Sequence, residues 1–227
     1  AGTRVRLALG AGTGLGYDES YMVGNARILA LGYVDHPPLH VWMAGLAMRA
    51  FHSEAAIVVR LPFVLLFAGS TWLMYRLAGR LFGERAGLWA VIAFSLAPVF
   101  TLSHATWVLP DGPLIFFLLA SAGAVERAIF GASSPRAATL WWLLAGMCTG
   151  LALLSKYNAA FFPAAVFVFL VTVPAARRHL ATAGPWLAAA MALVVFSPVL
   201  VWNAEHGFIG FAFQAAGASP SGLHPGF

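Results

Sequence analysis

The stretch PWLAAAMALVVFSPVLVW, residues 185–202, holds no ionisable side chain over 18 positions. Read as a helix it reaches about 27 Å, close to the thickness of a hydrocarbon core, which needs about 20 apolar residues and not fewer than about 17. Five more segments read the same way, near 56–75, 86–103, 109–125, 139–155 and 157–174. Pro163 and Pro198 lie inside two of them, and lipid-embedded helices tolerate proline because neighbouring groups satisfy the freed backbone. The expected fold is therefore all-α, a polytopic transmembrane helical bundle.

Composition leads to the same class. The 227 residues are 61% hydrophobic and 9% charged, with a mean hydropathy of +0.83, against about 25% charged in soluble domains. A net charge of +5 could suggest nucleic acid, but the charges sit singly between apolar runs, so no nucleic-acid partner is expected. The lone cysteine, Cys148, excludes disulfide frameworks and reads as a packed thiol.

Basic residues orient the bundle. Arg76, Arg80 and Arg85, then Arg127 and Arg136, then Arg177 and Arg178 mark three cytoplasmic loops. The intervening loops, with Asp111, Lys156-Tyr157-Asn158 and Trp202-Asn203, face outward, as does the segment before the first span. Arg27, Arg49 and Arg60 fall on that outer side against the bias. Trp107 and Trp202 fall at outer ends, and Trp89, Trp141, Trp142 and Trp186 near inner ends, the placement of interfacial belts.

The organisation expected is an outer-face region over 1–55, a membrane bundle over 56–203, and the start of another outer loop over 204–227. Two interfacial helices, 20–31 and 39–51, flank the turn Gly32-Tyr33-Val34-Asp35-His36-Pro37-Pro38. Residues 1–16, with Arg4, Arg6 and five glycines, are too broken for a signal peptide or a full span. The start at Ala1 and the Gly/Pro/Ser-rich end lead us to expect a piece of a longer protein, lacking an initial transmembrane helix and a C-terminal half.

Few residues in this inventory can do chemistry. Asp18-Glu19, at an interface that desolvates one side of a carboxylate, suit a general base; the plainer reading is two solvated loop acids. Asp111 stands at a helix entrance, as a functional intramembrane acid or as an N-cap. Lys156, the only lysine, interrupts an apolar run and could meet a lipid phosphate, or could snorkel from a helix end. Asp35-His36 sits in a proline-fixed turn and could hydrogen-bond a phosphate or join a divalent-metal site, although two ligands are too few for a metal assignment. Gly10, Gly12, Gly14 and Gly16 lack the strand a phosphate loop needs, and Gly146 with Gly150 read as a close helix contact.

The order Asp18-Glu19, Leu31 to Leu39, Arg60-Leu61-Pro62, Pro110-Asp111-Gly112-Pro113, Leu154-Ser155-Lys156-Tyr157 and Ser197 to Asn203 resembles bacterial glycosyltransferases of family 39. That family includes the dolichyl-phosphate-mannose protein mannosyltransferases and the lipid A aminoarabinose transferases. The resemblance implies a GT-C fold in the inner (plasma) membrane, with its active site on the periplasmic face. It implies inverting transfer from a polyprenyl-phosphate-linked sugar to a lipid, glycan or protein acceptor, with Asp18 as base and Asp111 as a second, orienting acid. Asp35, His36, Lys156 and Tyr157 would form the substrate-binding set, with His36 and Lys156 on the donor phosphate, and no cofactor beyond a possible divalent metal is implied. His36 stands where the aminoarabinose-transferase branch carries lysine. A transporter or flippase of a lipid-linked substrate is the alternative, and it predicts paired broken helices in two repeated halves.

Overall fold

The computed structural model describes residues 2–100 and 105–217. Within them the chain forms α1 (Gly2–Gly12), α2 (Tyr17–Ala26), α3 (Leu39–Phe51), α4 (Ala56–Phe82), α5 (Glu84–Leu96), α6 (Asp111–Glu126), α7 (Pro135–Leu153), α8 (Phe161–Thr172), α9 (Pro174–Arg177), α10 (Gly184–Glu205) and α11 (Ile209–Gly217), and no strand. The fold is all-α and polytopic. Among the described residues, four helical stretches are long and apolar enough to cross a membrane: Ala56–Phe82, Asp111–Gly131, Pro135–Leu153 and Gly184–Glu205.

Two expected spans come out differently. The segment near 86–103 is a helix only from Glu84 to Leu96, and Ala97 turns extended (ψ 120°) before Pro98. Proline disfavours the helical region for the residue before it and supplies no N–H, so α5 stops there. Residues 101–103 of that expectation lie outside the described residues. The segment near 157–174 begins with a 3-10 turn, Tyr157–Ala160, and bends by 105° between Tyr157–Thr172 and Pro174–Ala181, so it counts as a fifth span only as a bent pair.

Small residues let the bundle close. α7 packs most extensively on α10, and a Cβ on Gly146 would lie 2.2 Å from the Ala188 carbonyl oxygen. Gly150 faces Ala192 and Val195 at similar range, so the expected glycine contact is the α7–α10 seam. Membrane helices gain from such approach because lipid offers no hydrophobic drive for association. Ser121 on α6 donates to the Ala145 carbonyl at 2.9 Å and sits 2.9 Å from Thr149 Oγ1, satisfying buried hydroxyls across α6 and α7. Cys148 is buried and free. Trp142, expected at an interfacial belt, is instead 3% exposed in a cluster with Ile129, Leu170, Ala176 and Ala188, its indole against Gly184.

The bundle has two unlike ends. At one, Arg80 pairs with Glu126 at 2.7 Å and Arg127 lies over the Trp141 ring. At the other, α2 and α3 form a layer over the starts of α4 and α6, with Met22, Val23, Ala26, Val41, Ala44, Val59 and Phe63 in a common core. The expected helix over 39–51 is α3, Leu39–Phe51, while the one expected over 20–31 begins earlier, at Tyr17, and ends at Ala26. The glycine-rich start, which shows no apolar run of spanning length, is helical from Gly2 to Gly12 and lies along α4.

Candidate active site

The layered end opens into a cleft of about 560 Å³, lined by Tyr17, Asp18 and Tyr21 of α2, Asp35 and His36 of the proline turn, Asp111 of α6 and Lys156. Each side chain arrives there for a local reason. α2 buries Glu19, Met22, Val23 and Ala26, an i, i+3, i+4, i+7 stripe, and this leaves Tyr17, Asp18 and Tyr21 on the opposite face. Pro37 and Pro38 fix the turn before α3, and Leu39 N–H donates to the Leu154 carbonyl at 2.9 Å, tying that turn to the end of α7. Lys156 takes extended backbone (φ −155°, ψ 136°) where α7 has ended, which frees its side chain from the helix.

Lys156 Nζ donates to Asp111 Oδ1 at 2.9 Å, with both side chains about a quarter to a third exposed (33% and 25%). Both the capping and the snorkelling expectations had each residue acting alone; the structure pairs them, and no side-chain cap is made at the start of α6. His36 Nδ1 lies 3.1 Å from Asp35 Oδ2. Burial alone would raise the Asp35 pKa, but the neighbouring His36 more than offsets it, and the carboxyl is held below its ordinary value. Beneath the cleft His40 is fully buried, with Nε2 3.2 Å from Met22 Sδ and its ring edge-on to His36. Burial, and then the neighbouring His36, push its pKa down to about 3, so His40 is a neutral imidazole.

Two of the expected site residues go elsewhere. Glu19, next to Asp18, is 1% exposed and points into the protein, where Arg60 Nε donates to its Oε1 at 2.8 Å and Gly16 N–H and Val108 N–H also donate to the carboxylate. The remaining Arg60 donors reach the carbonyls of Gly10, Thr13 and Gly14 at 2.9–3.0 Å and Thr13 Oγ1 at 2.9 Å. Burial raises the Glu19 pKa, and the Arg60 hydrogen bond followed by the two backbone donors brings it net below its ordinary value. Tyr157 packs its ring edge-on against Phe196 and Phe211, among Leu154 and Val199, outside the cleft lining.

Tyr17 and Tyr21 line the cleft and were not singled out from the sequence, although the buried stripe of α2, once phased, puts them beside Asp18. Among the described residues no three His, Cys, Asp or Glu side chains converge as a metal-holding group.

Residues 35–202 match the family model described as dolichyl-phosphate-mannose-protein mannosyltransferase, most of the chain, and the protein belongs to that family. It is 30% identical over 189 residues to lipid A galacturonosyltransferase RgtD of Rhizobium johnstonii, covering 83% of this chain and 38% of that protein. It is 27% identical over 211 residues to lipopolysaccharide core galacturonosyltransferase RgtA of the same organism, covering 90% and 41%. The crystal structure of ArnT from Cupriavidus metallidurans in the apo state superposes with a TM-score of 0.71 at 17% identity, over 93% of this chain and 41% of that one. The fold is thus the GT-C fold, and the chain spans about two fifths of the length of these relatives.

Proposed function

We propose that this family member is the donor-binding and base-bearing part of a membrane glycosyltransferase, which moves a sugar from a polyprenyl-phosphate donor to a hydroxyl of a lipid, glycan or protein acceptor at the periplasmic face, with inversion. The observation that carries the reading is the convergence of Asp18, Asp35-His36 and Asp111–Lys156, far apart in sequence, on one cleft at one end of an apolar bundle. A lipid-linked donor reaches such a site laterally through the membrane, whereas a water-soluble nucleotide-sugar has no need of it.

The chemistry follows from what each group can do. Asp18, exposed and acceptor-only when ionised, takes the proton from the acceptor hydroxyl as its oxygen attacks the sugar C1. The C1–O bond to the phosphate breaks on the opposite face of the sugar, and the polyprenyl phosphate leaves with the electron pair. Lys156 and His36 donate to the departing phosphate oxygens, where charge builds up. Asp111 holds Lys156 by the 2.9 Å bond until the phosphate arrives, and it also orients the acceptor or donor. Tyr17 and Tyr21 line the cleft beside the base, and aromatic rings there suit a sugar.

The test is transfer of radiolabelled sugar from polyprenyl-phosphate donors in membranes containing the full-length parent protein. The expected result is label in a lipid, glycan or protein acceptor with the wild type and its loss with Asp18→Asn at equal protein level, by about 10²-fold to 10⁴-fold. A donor left intact by the wild type, or a fully active Asp18→Asn, overturns the reading.

A further inference from the structure

The charge bias along the sequence leaves Arg27, Arg49 and Arg60 on the side poor in basic residues, and the structure neutralises two of the three. Arg60 is enclosed with Glu19, and Arg27 makes a two-pronged pair with Glu54 at 3.0 and 2.8 Å. Arg49 forms no ion pair among the described residues; one of its N–H groups reaches the Arg27 carbonyl at 3.3 Å, a long contact at the end of α2. Arg49 is otherwise exposed.

Arg49 lines an open pocket of about 380 Å³ with Arg27, His52 and Ser53, over a floor of Ala26 and Gly45. A Cβ on Gly45 would lie 2.6 Å from the Ala26 carbonyl, so the floor cannot be raised without moving α3 off α2. His52 ends α3 at φ 49°, ψ 39°, a left-handed conformation in which glycine or asparagine costs least and other residues about 1–2 kcal/mol. An imidazole is thus kept at the pocket mouth in a position where a smaller residue is conformationally cheaper. Exposed apolar side chains adjoin the lining residues in sequence: Ile28 next to Arg27, Leu46 next to Gly45 and Phe51 next to His52, 77%, 59% and 59% exposed. Arginines in a hollow whose neighbours in sequence are exposed apolar side chains have the chemistry of a membrane surface, where the apolar groups enter the acyl boundary and arginines stay at phosphate level.

We propose that this pocket binds the phosphate of an anionic membrane phospholipid, held by Arg49 and His52 beside the Arg27–Glu54 pair. The consequence for the cleft is mechanical. α2 carries Asp18 at its start and ends at Arg27, about 13 Å further along the axis, so a lipid at the pocket anchors the helix that bears the acid. The bland alternative is that Arg49 only stabilises the C-terminus of α2, as helix-end cations do. The proposal stands apart from sugar transfer and survives if that reading fails.

The experiment is native mass spectrometry of the full-length protein in detergent, titrated with dioleoyl phosphatidic acid and, separately, dioleoyl phosphatidylcholine. It is run in the Lys156→Gln background so that the cleft does not contribute. Adding Arg49→Gln and His52→Gln should weaken phosphatidic acid binding about tenfold, the loss of one or two charge-assisted hydrogen bonds, with phosphatidylcholine weaker throughout. Arg49→Lys should stay within about threefold, since a surface phosphate reads charge before geometry. Hydrogen exchange in the unmutated protein should show the backbone of 27–54 protected by phosphatidic acid and not by phosphatidylcholine, a readout independent of whether the variants fold. Equal binding by the triple variant and Lys156→Gln, equal binding of the two lipids, or displacement by millimolar inorganic phosphate overturns the proposal.

Discussion

Two ion pairs stand at the same end of this bundle, and they differ in what surrounds them. Around Arg60–Glu19 every guanidinium donor and both carboxylate oxygens are used within the protein, both side chains are at most 2% exposed, and the partners come from residues 10–19, 60 and 108. Around Lys156–Asp111 the ion pair is open to the cleft, and a quarter to a third of each side chain is exposed. Buried charge survives only when paired and saturated with hydrogen bonds, so the first pair is a clasp that fixes three parts of the chain. A half-open ammonium keeps donors for a ligand, so the second pair is poised to exchange partners.

The difference can be broken by substitution. Arg60→Met should have the largest effect on stability, about 3–5 kcal/mol, because it removes the countercharge of buried Glu19 and the arginine's bonds to the carbonyls of Gly10, Thr13 and Gly14; thermal unfolding of the detergent-solubilised protein reads it. Lys156→Gln should do the reverse, cutting sugar transfer about 10²-fold while the melting temperature stays nearly constant, as loss of one donor to a developing anion does. Equal destabilisation by the two variants would remove the distinction.

Acid sharpens it further. Since the Glu19 pKa is lowered on folding, its contribution is fully present above the ordinary value of 4.5 and is lost as pH falls through the lowered folded value. His40 acts in a higher window: its pKa falls from 6.5 to about 3 on folding, so the unfolded chain takes up a proton first and stability declines as pH drops below 6.5. Melting curves should therefore slope below pH 6.5 by on the order of 1 kcal/mol per pH unit, and His40→Leu should flatten that slope while leaving the lower one. The smallest effect belongs to Arg27→Ala, whose pair with Glu54 is 64% and 49% exposed and screened by solvent; its melting temperature should be indistinguishable from that of the unmutated protein.

Much of this arrangement is legible in the sequence, for local reasons. The spans over α4, α6, α7 and α10 are runs of apolar residues, and α3 sits at 39–51 because two prolines start it and the apolar pattern carries it. Asp18, Asp35, His36, Asp111 and Lys156 stand out as ionisable groups in an apolar chain, and they do share one cleft. What stays hidden depends on pairing across the chain. Arg60 looks like an exception to the charge bias because its partner is 41 positions away, and Glu19 looks equivalent to Asp18 because adjacency says nothing about which helix face is buried. Tyr157, next to Lys156, points into a ring cluster for the same reason. The glycine-rich start gives no hint that its carbonyls serve an arginine.

Those adjacent acids provide the most direct measurement. In one preparation of full-length protein, Asp18→Asn and Glu19→Gln are compared for transfer rate per folded molecule and for melting temperature. Asp18→Asn should lose about 10²-fold to 10⁴-fold in rate with an unchanged melting temperature, and Glu19→Gln should melt lower while its folded fraction keeps a rate within about threefold of wild type. A Glu19→Gln protein that stays folded but loses the rate, or an Asp18→Asn protein that keeps it, would contradict the assignment of chemistry to the open cleft and of structure to the closed pair.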